Sequence, residues 1–218
     1  METVIGPVPD SWRQLPFGEV ANIQAGPANI KSDLLPLGEA GVPVLTPSEI
    51  SWFRVTREAA RSVSPQAAKR LQRYRVRAGD LVCVRTGDLG RAALVGPEND
   101  GWVLGTSCLR LRLVNSVNSG YVLQYLRHPQ VRAWIKGNAK FSTIPSLSTQ
   151  VLGDLPFVAA PLSVQSAVSD ILGALEEKIA AHSQLIRECE RLHEWLLPRL
   201  VSGELLEGGS SVIRDETS

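Results

Sequence analysis

The spacing of apolar residues toward the end of this sequence constrains its fold more than any other feature. Leu175, Ile179, His182, Ile186, Cys189, His193, Leu196 and Leu200 follow one another at alternating steps of four and three. Those are the a and d positions of a coiled-coil seam. Pro161 is placed to open the helix, which the periodicity predicts from about Ser163 to Leu200. At 1.5 Å per residue such a helix would reach roughly 55 Å, longer than the diameter of a domain of this size. Part of its stripe must meet something other than the chain's own core, and a partner helix is expected. The polar members His182, Cys189 and His193 are of the kind that fix register or choice of partner rather than perform chemistry.

The 218 residues are 44% apolar, enough for a buried core plus an extension. No run of about 18 uncharged apolar residues occurs, and the opening Met1-Glu2-Thr3-Val4-Ile5 lacks the basic and apolar regions of a signal peptide. A cytoplasmic protein outside the membrane is expected. Cys83, Cys108 and Cys189 are far apart and odd in number, with no C-x-x-C spacing. They read as buried thiols, with no metal site.

The formal charge of +1 conceals a segregation of sign. Arg54, Arg57, Arg61, Lys69, Arg70, Arg73, Arg75 and Arg77 are opposed only by Glu58, and a second run of Arg127, Arg132, Lys136 and Lys140 contains no acid. The C-terminal helix instead carries Asp170, Glu176, Glu177, Glu188, Glu190 and Glu194 against Lys178, Arg187, Arg191 and Arg199. The body is basic and the helix acidic.

Between Trp12 and Val158, glycine and proline punctuate short apolar runs, so strands are the main expectation. They are predicted at Gly18 to Gln24, Val42 to Leu45, Asp80 to Arg85, Ala92 to Val95, Trp102 to Val103 and Cys108 to Val114. Helices are expected over Pro65 to Gln72, with Ser64 as N-cap, and over Gly120 to Lys136. The segment Leu155 to Leu162 is extended and bracketed by prolines, and it reads as a hinge between body and helix.

Chemistry-bearing patterns are sparse. The glycine-rich stretch Gly79 to Arg91 lacks the Lys-Ser or Lys-Thr of a phosphate cradle and any G-x-G-x-x-G opening a helix. It reads as a strand, a tight glycine turn and a return strand, with Arg85, Thr86, Asp88 and Arg91 presented at the turn. A metal-nuclease outline of Asp10 with Glu176 and Lys178 fails, because the last two fall on the seam-bearing helix and not on neighbouring strands. No methyltransferase signature is present. The basic runs, with Trp52, Phe53 and Tyr74 beside the first and a polar stretch after the second, have the makings of a nucleic-acid face.

The order of segments resembles one half of a type I restriction-modification specificity subunit, the chain that chooses the DNA sequence for a partner methyltransferase. Trp12-Arg13-Gln14-Leu15-Pro16 through Gln24-Ala25-Gly26 is similar to that family's domain opening. Arg75-Val76-Arg77-Ala78-Gly79-Asp80-Leu81-Val82 is similar to its central strand motif, and Ile144-Pro145-Ser146-Leu147-Ser148 to its closing loop. Leu155-Pro156-Phe157-Val158 through Pro161-Leu162, with Gln165 and Asp170-Ile171-Leu172, resembles the entry to its conserved helix, where Val164-Gln165 stands in place of the usual Glu-Gln. Together these motifs cover about residues 9 to 206.

The resemblance implies an α+β fold, with a mixed, strand-rich target-recognition domain over residues 9–160 and a long dimerisation helix over 161–206, while the run Gly208-Gly209-Ser210-Ser211 predicts a disordered tail over 207–218. It implies a non-catalytic subunit that binds double-stranded DNA and needs no cofactor of its own. S-adenosylmethionine would belong to the methyltransferase, and any cleavage to a restriction subunit. The family's usual chain carries two recognition domains and two antiparallel helices. This sequence shows one of each, so a homodimer reading a split, palindromic site is expected. The lysines and arginines of the two basic runs, Arg54, Lys136 and Lys140 among them, are expected to hold phosphates, and Lys31 is also expected to face the DNA. Thr46, Ser48, Glu49, Arg85, Thr86, Asp88, Arg91, Asn138, Ser142 and Thr143 are expected at base edges. The alternative is a non-catalytic DNA-binding or protein-recruiting scaffold derived from the same family.

Overall fold

The computed structural model describes residues 1–56, 59–140 and 145–202. The expected sites Ser142 and Thr143, the expected tail and part of the first basic run lie outside the described residues. In chain order the strands are β1 Glu2–Thr3, β2 Gly6–Pro7, β3 Arg13–Pro16, β4 Ala21–Ala25, β5 Val42–Leu45, β6 Phe53–Arg54 and β7 Ser62–Val63. Helix α1 (Pro65–Arg70) precedes β8 Leu81–Val84, β9 Ala92–Leu94, β10 Val103–Leu104 and β11 Cys108–Leu113. Then come α2 Ser119–Arg127, α3 Pro129–Asn138, α4 Thr149–Gly153, β12 Pro156–Ala159 and α5 Leu162–Val201. The class is mixed α+β, as expected, with a long C-terminal helix.

The main sheet has the order β4-β11-β8-β9-β6, antiparallel except for β6, which runs parallel to β9. All four residues of β8 are buried, so its two faces serve two cores. Leu81 and Cys83 share one face with Leu109 and Leu111 of β11, and that face is covered by Tyr121, Leu126, Ile135 and Phe157. Val82 and Val84 look the other way, with Cys108, toward Leu45, Ile50, Trp102 and Leu104. A smaller sheet, β10-β5-β7, closes over α1, whose N-cap Ser64 accepts from the Ala67 amide at 3.1 Å. Gly26, in the opening motif, passes so close to the main chain that an added Cβ would lie 1.9 Å from the Gly105 carbonyl oxygen.

Three expectations are corrected. The segment read as a hinge contains β12, which pairs antiparallel with β3, Phe157 opposite Leu15. Burial of Phe157 outweighs the flanking prolines. The single helix over Gly120 to Lys136 is two, because Pro129 lacks an amide hydrogen and leaves His128 extended at φ −55°, ψ 132°. Cys83 and Cys108 are buried as expected, whereas Cys189 is exposed on α5.

Two compact units divide between Leu172 and Gly173. The first turns of α5 therefore belong with the body, and Val164 and Val168 pack on its main core. Gln165, only 2% exposed, fastens them. Its Oε1 accepts from the Asn118 amide at 2.9 Å and its Nε2 donates to the Ala160 carbonyl at 2.7 Å. Gln165→Leu leaves both main-chain groups unpaired and is expected to cost about 2–3 kcal/mol. Thermal unfolding should report it as a midpoint lowered by about 4–10 °C, and an unchanged midpoint would refute the fastening role.

In the second unit the expected seam is on the surface. Leu175, Ile179, Ile186 and Leu200 are each about half exposed, as are Leu185, Leu192 and Trp195 beside them. His182, Cys189 and His193 are also exposed, and Leu196 is partly so. None of the helices among the described residues is long and apolar enough to cross a membrane.

Candidate nucleic-acid interface

The seven residues between β8 and β9, Arg85 to Arg91, form the turn expected from the glycine pattern. Gly87 and Gly90 take φ values of +86° and +81°, which side-chain-bearing residues rarely adopt. The turn is closed by Gly90 donating to the Val84 carbonyl at 3.1 Å and Val84 to the Arg91 carbonyl at 2.8 Å. A Cβ at Gly90 would stand 3.0 Å from Ile135, so the turn rests on α3.

Three further segments meet it. The loop after β5 is tied by Arg91, whose Nη2 donates to the Pro47 carbonyl at 3.0 Å. Helix α3 is tied by Arg132, whose Nη2 bonds Asp88 at 2.6 Å, while Arg91 Nε lies 3.8 Å from the same carboxylate. The closing loop is tied by a bridge between Thr86 and Ser146, by the Leu147 amide donating to the Arg85 carbonyl at 2.8 Å, and by mutual main-chain bonds between Lys140 and Ser146 at 3.3 Å. The loop beginning at Thr46 ends in a tight hairpin in which Ser51 donates to the Arg54 carbonyl at 3.0 Å. Phe53, at φ 72°, is strained there. Arg132 stacks 4.9 Å above the Trp52 ring, and Arg127 lies 5.0 Å above Phe53.

Of the expected DNA-facing residues, this brings together Thr46, Ser48, Arg85, Thr86, Asp88, Arg91 and Lys140. Glu49 is different. It is 4% exposed, and its carboxylate accepts from the Thr46 amide (2.8 Å) and from the hydroxyls of Thr46 (2.6 Å) and Ser48 (2.9 Å). Its part is to shape the loop, and burial takes it away from any groove. Asn138 turns its Nδ2 back onto the Trp134 carbonyl at 2.9 Å, and Lys136 is exposed in the last turn of α3. Arg54 lies on β6 beside Leu94, and Lys31 on the turn Lys31–Asp33, which is linked by an Asp33–Arg70 ion pair to α1.

Sequence reasoning passed over Arg132 and Trp52 as individual contacts. The available signal was the four-residue step from Arg132 to Lys136, which puts both on one face of α3. The Arg132 and Asp88 side chains are 21% and 39% exposed, and a partly exposed ion pair of this kind contributes modest net stability. Arginine forks, hydroxyls and a stacked tryptophan at one sheet end match what base edges and phosphates require.

Elsewhere the chemistry is quiet. Burial pushes the Cys83 thiol up to about 12 and the Tyr121 hydroxyl up to about 12. A thiol so raised is no nucleophile at neutral pH. Among the described residues no group of three or more His, Cys, Asp or Glu is placed to hold a metal ion.

Residues 9–191 match the family model of the type I restriction modification DNA specificity domain. Among solved structures, a chain of a type I R-M system studied for complex assembly and conformational transition superposes with a TM-score of 0.63 at 19% identity, over 89% of this chain and 46% of that one. The HsdS subunit from Thermoanaerobacter tengcongensis gives 0.60 at 20% identity, covering 89% and 45%. The Type-I restriction-modification system S subunit from M. genitalium gives 0.59 at 16% identity, covering 91% and 48%. At these identities the likeness establishes the fold, and the chain spans slightly under half the length of the solved chains it matches. No curated protein matches it.

Proposed function

We propose a function from the premise that this chain belongs to the type I restriction modification DNA specificity domain family: it reads a defined sequence in duplex DNA on behalf of a partner that performs the chemistry. The observation that carries this reading is the meeting of Arg85, Arg91, Arg132, Trp52, Thr46 and Ser48 at one end of the main sheet. In this reading the chain is non-catalytic. A methyltransferase subunit brings S-adenosylmethionine, and a restriction subunit, where present, cleaves.

The exposed seam of α5 pairs antiparallel with the same seam of a second copy, which yields a two-fold assembly and a split, palindromic target. The apolar a and d positions and their exposure support that pairing. Methyl transfer or DNA cleavage by the purified chain alone would contradict the non-catalytic assignment.

Base reading is tested at Arg85. Arg85→Ala is expected to relax preference at one position of the site, at a cost of about 1–3 kcal/mol in discrimination. Competition binding with singly substituted duplexes measures it. Equal weakening on every duplex would make Arg85 a phosphate contact and remove it from the readers.

A further inference from the structure

A second basic site lies at the other end of β8 from the Arg85–Arg91 turn. Five arginines, Arg73, Arg75, Arg77, Arg110 and Arg112, line a concavity of about 330 Å³ together with Asp100. They converge because the run from Gln72 to Arg77 crosses the end of the sheet where β11 presents alternate residues. Arg110 and Arg112 stand two apart on the same face of that strand.

Internal pairing accounts for only part of this charge. Arg112 makes a two-pronged bond to the buried Asp80 carboxylate, 2.7 Å from Nε and 2.7 Å from Nη2. Arg110, 7% exposed, donates from Nη1 to the carbonyls of Arg73 at 3.1 Å and Arg75 at 2.9 Å, and from Nη2 to Gln24. Its Nε, and that of Arg75, are buried and meet no hydrogen-bond acceptor in the protein. Arg73 lies over the Tyr74 ring at 4.6 Å. Asp100 accepts from the Ala78 amide at 2.9 Å.

Two carboxylates thus face five guanidinium groups. The crowding is felt at Arg110, whose proton affinity is lowered by burial first and by the charges of Arg112 and Arg77 as well, with Asp80 opposing. A tetrahedral oxyanion relieves such crowding, because guanidinium forks match its oxygens two at a time.

We propose that this concavity binds a phosphate group at a point separate from the base-reading turn. In the specificity reading its occupant is a backbone phosphate of the duplex outside the bases read. Only that source depends on the reading; phosphate binding itself does not.

The test compares the full chain with Arg75→Gln/Arg77→Gln. Inorganic phosphate at millimolar concentration, against chloride at matched ionic strength, should raise the thermal midpoint of the original chain and leave that of the variant unmoved. An equal shift in both overturns the site. If the double variant fails to fold, Arg73→Gln/Arg77→Gln, which alters two exposed side chains, takes its place with the same expected loss of response.

Salt dependence then identifies the source. A variant that weakens binding alike on all duplexes and flattens the slope of log affinity against log salt by about 1–2 makes the occupant a DNA phosphate. An unchanged slope, with the phosphate response lost, upholds the site and overturns the DNA source in favour of a free phosphate compound.

Discussion

In the doubly substituted chain Ile179→Glu/Ile186→Glu, self-association is expected to fall about ten-thousand-fold. Each isoleucine is more than half exposed in the single chain, so the substitutions cost the folded chain little. In the proposed pair each would be buried in both copies, so four seam positions change at once. Burying an isoleucine is worth about 1.5–3 kcal/mol, and a glutamate in its place must also be desolvated. A conservative sum of about 6 kcal/mol corresponds to about four factors of ten in affinity. Sedimentation over micromolar concentrations measures it, alongside thermal unfolding to confirm that the body is intact. An original chain that stays monomeric throughout would remove the pairing, and so would a variant that still dimerises.

The second large effect lies in the first unit. Phe157→Ala is expected to destabilise it by about 3–5 kcal/mol, a large share of the margin of an ordinary domain. The ring is fully buried, with centroids 5.6 Å from Phe17, 6.0 Å from Tyr121 and 5.0 Å from Tyr125. The two tyrosines also hold the same strand by its main chain, donating to the Val158 carbonyl at 2.9 Å and the Pro156 carbonyl at 2.6 Å. Losing the ring removes what draws β12 onto β3, and only two residues separate the end of β12 from the start of α5. The urea midpoint should drop with its slope nearly unchanged. A loss below about 1 kcal/mol would show that the aromatic cluster does not hold the strand.

These cases show what the sequence could and could not reveal. Helix α5 was legible to within a residue or two, since a repeat sustained over many turns is a local signal. Strands β5, β8, β9 and β11 were legible because each is a short apolar run between turn residues. The pairing of β3 with β12 was not, because strand partners some 140 residues apart leave no local mark. The break at Pro129 was legible in principle; the apolar periodicity across it had masked the proline.

At the candidate interface, glycine spacing revealed the turn and hence Arg85, Thr86, Asp88 and Arg91. Glu49 misled because a short polar run reads as exposed, and only the fold shows that its carboxylate is buried, accepting from the hydroxyls of Thr46 and Ser48, while Ser48 itself stays exposed. The central motif Arg75 to Val82 carries its chemistry at the end opposite the turn, where Asp80 binds Arg112. That division could not be seen before β11 was placed beside β8.

The central claim is that the end of the sheet bearing Arg85, Arg91 and Arg132 selects a DNA sequence. Enrichment from a randomised duplex pool, using the full chain together with the proposed methyltransferase subunit, tests it most directly. The account predicts one enriched motif, made of two related half-sites, whose preference relaxes at one position with Arg85→Ala. A pool that emerges without any enriched motif, although the chain retains DNA, would contradict it.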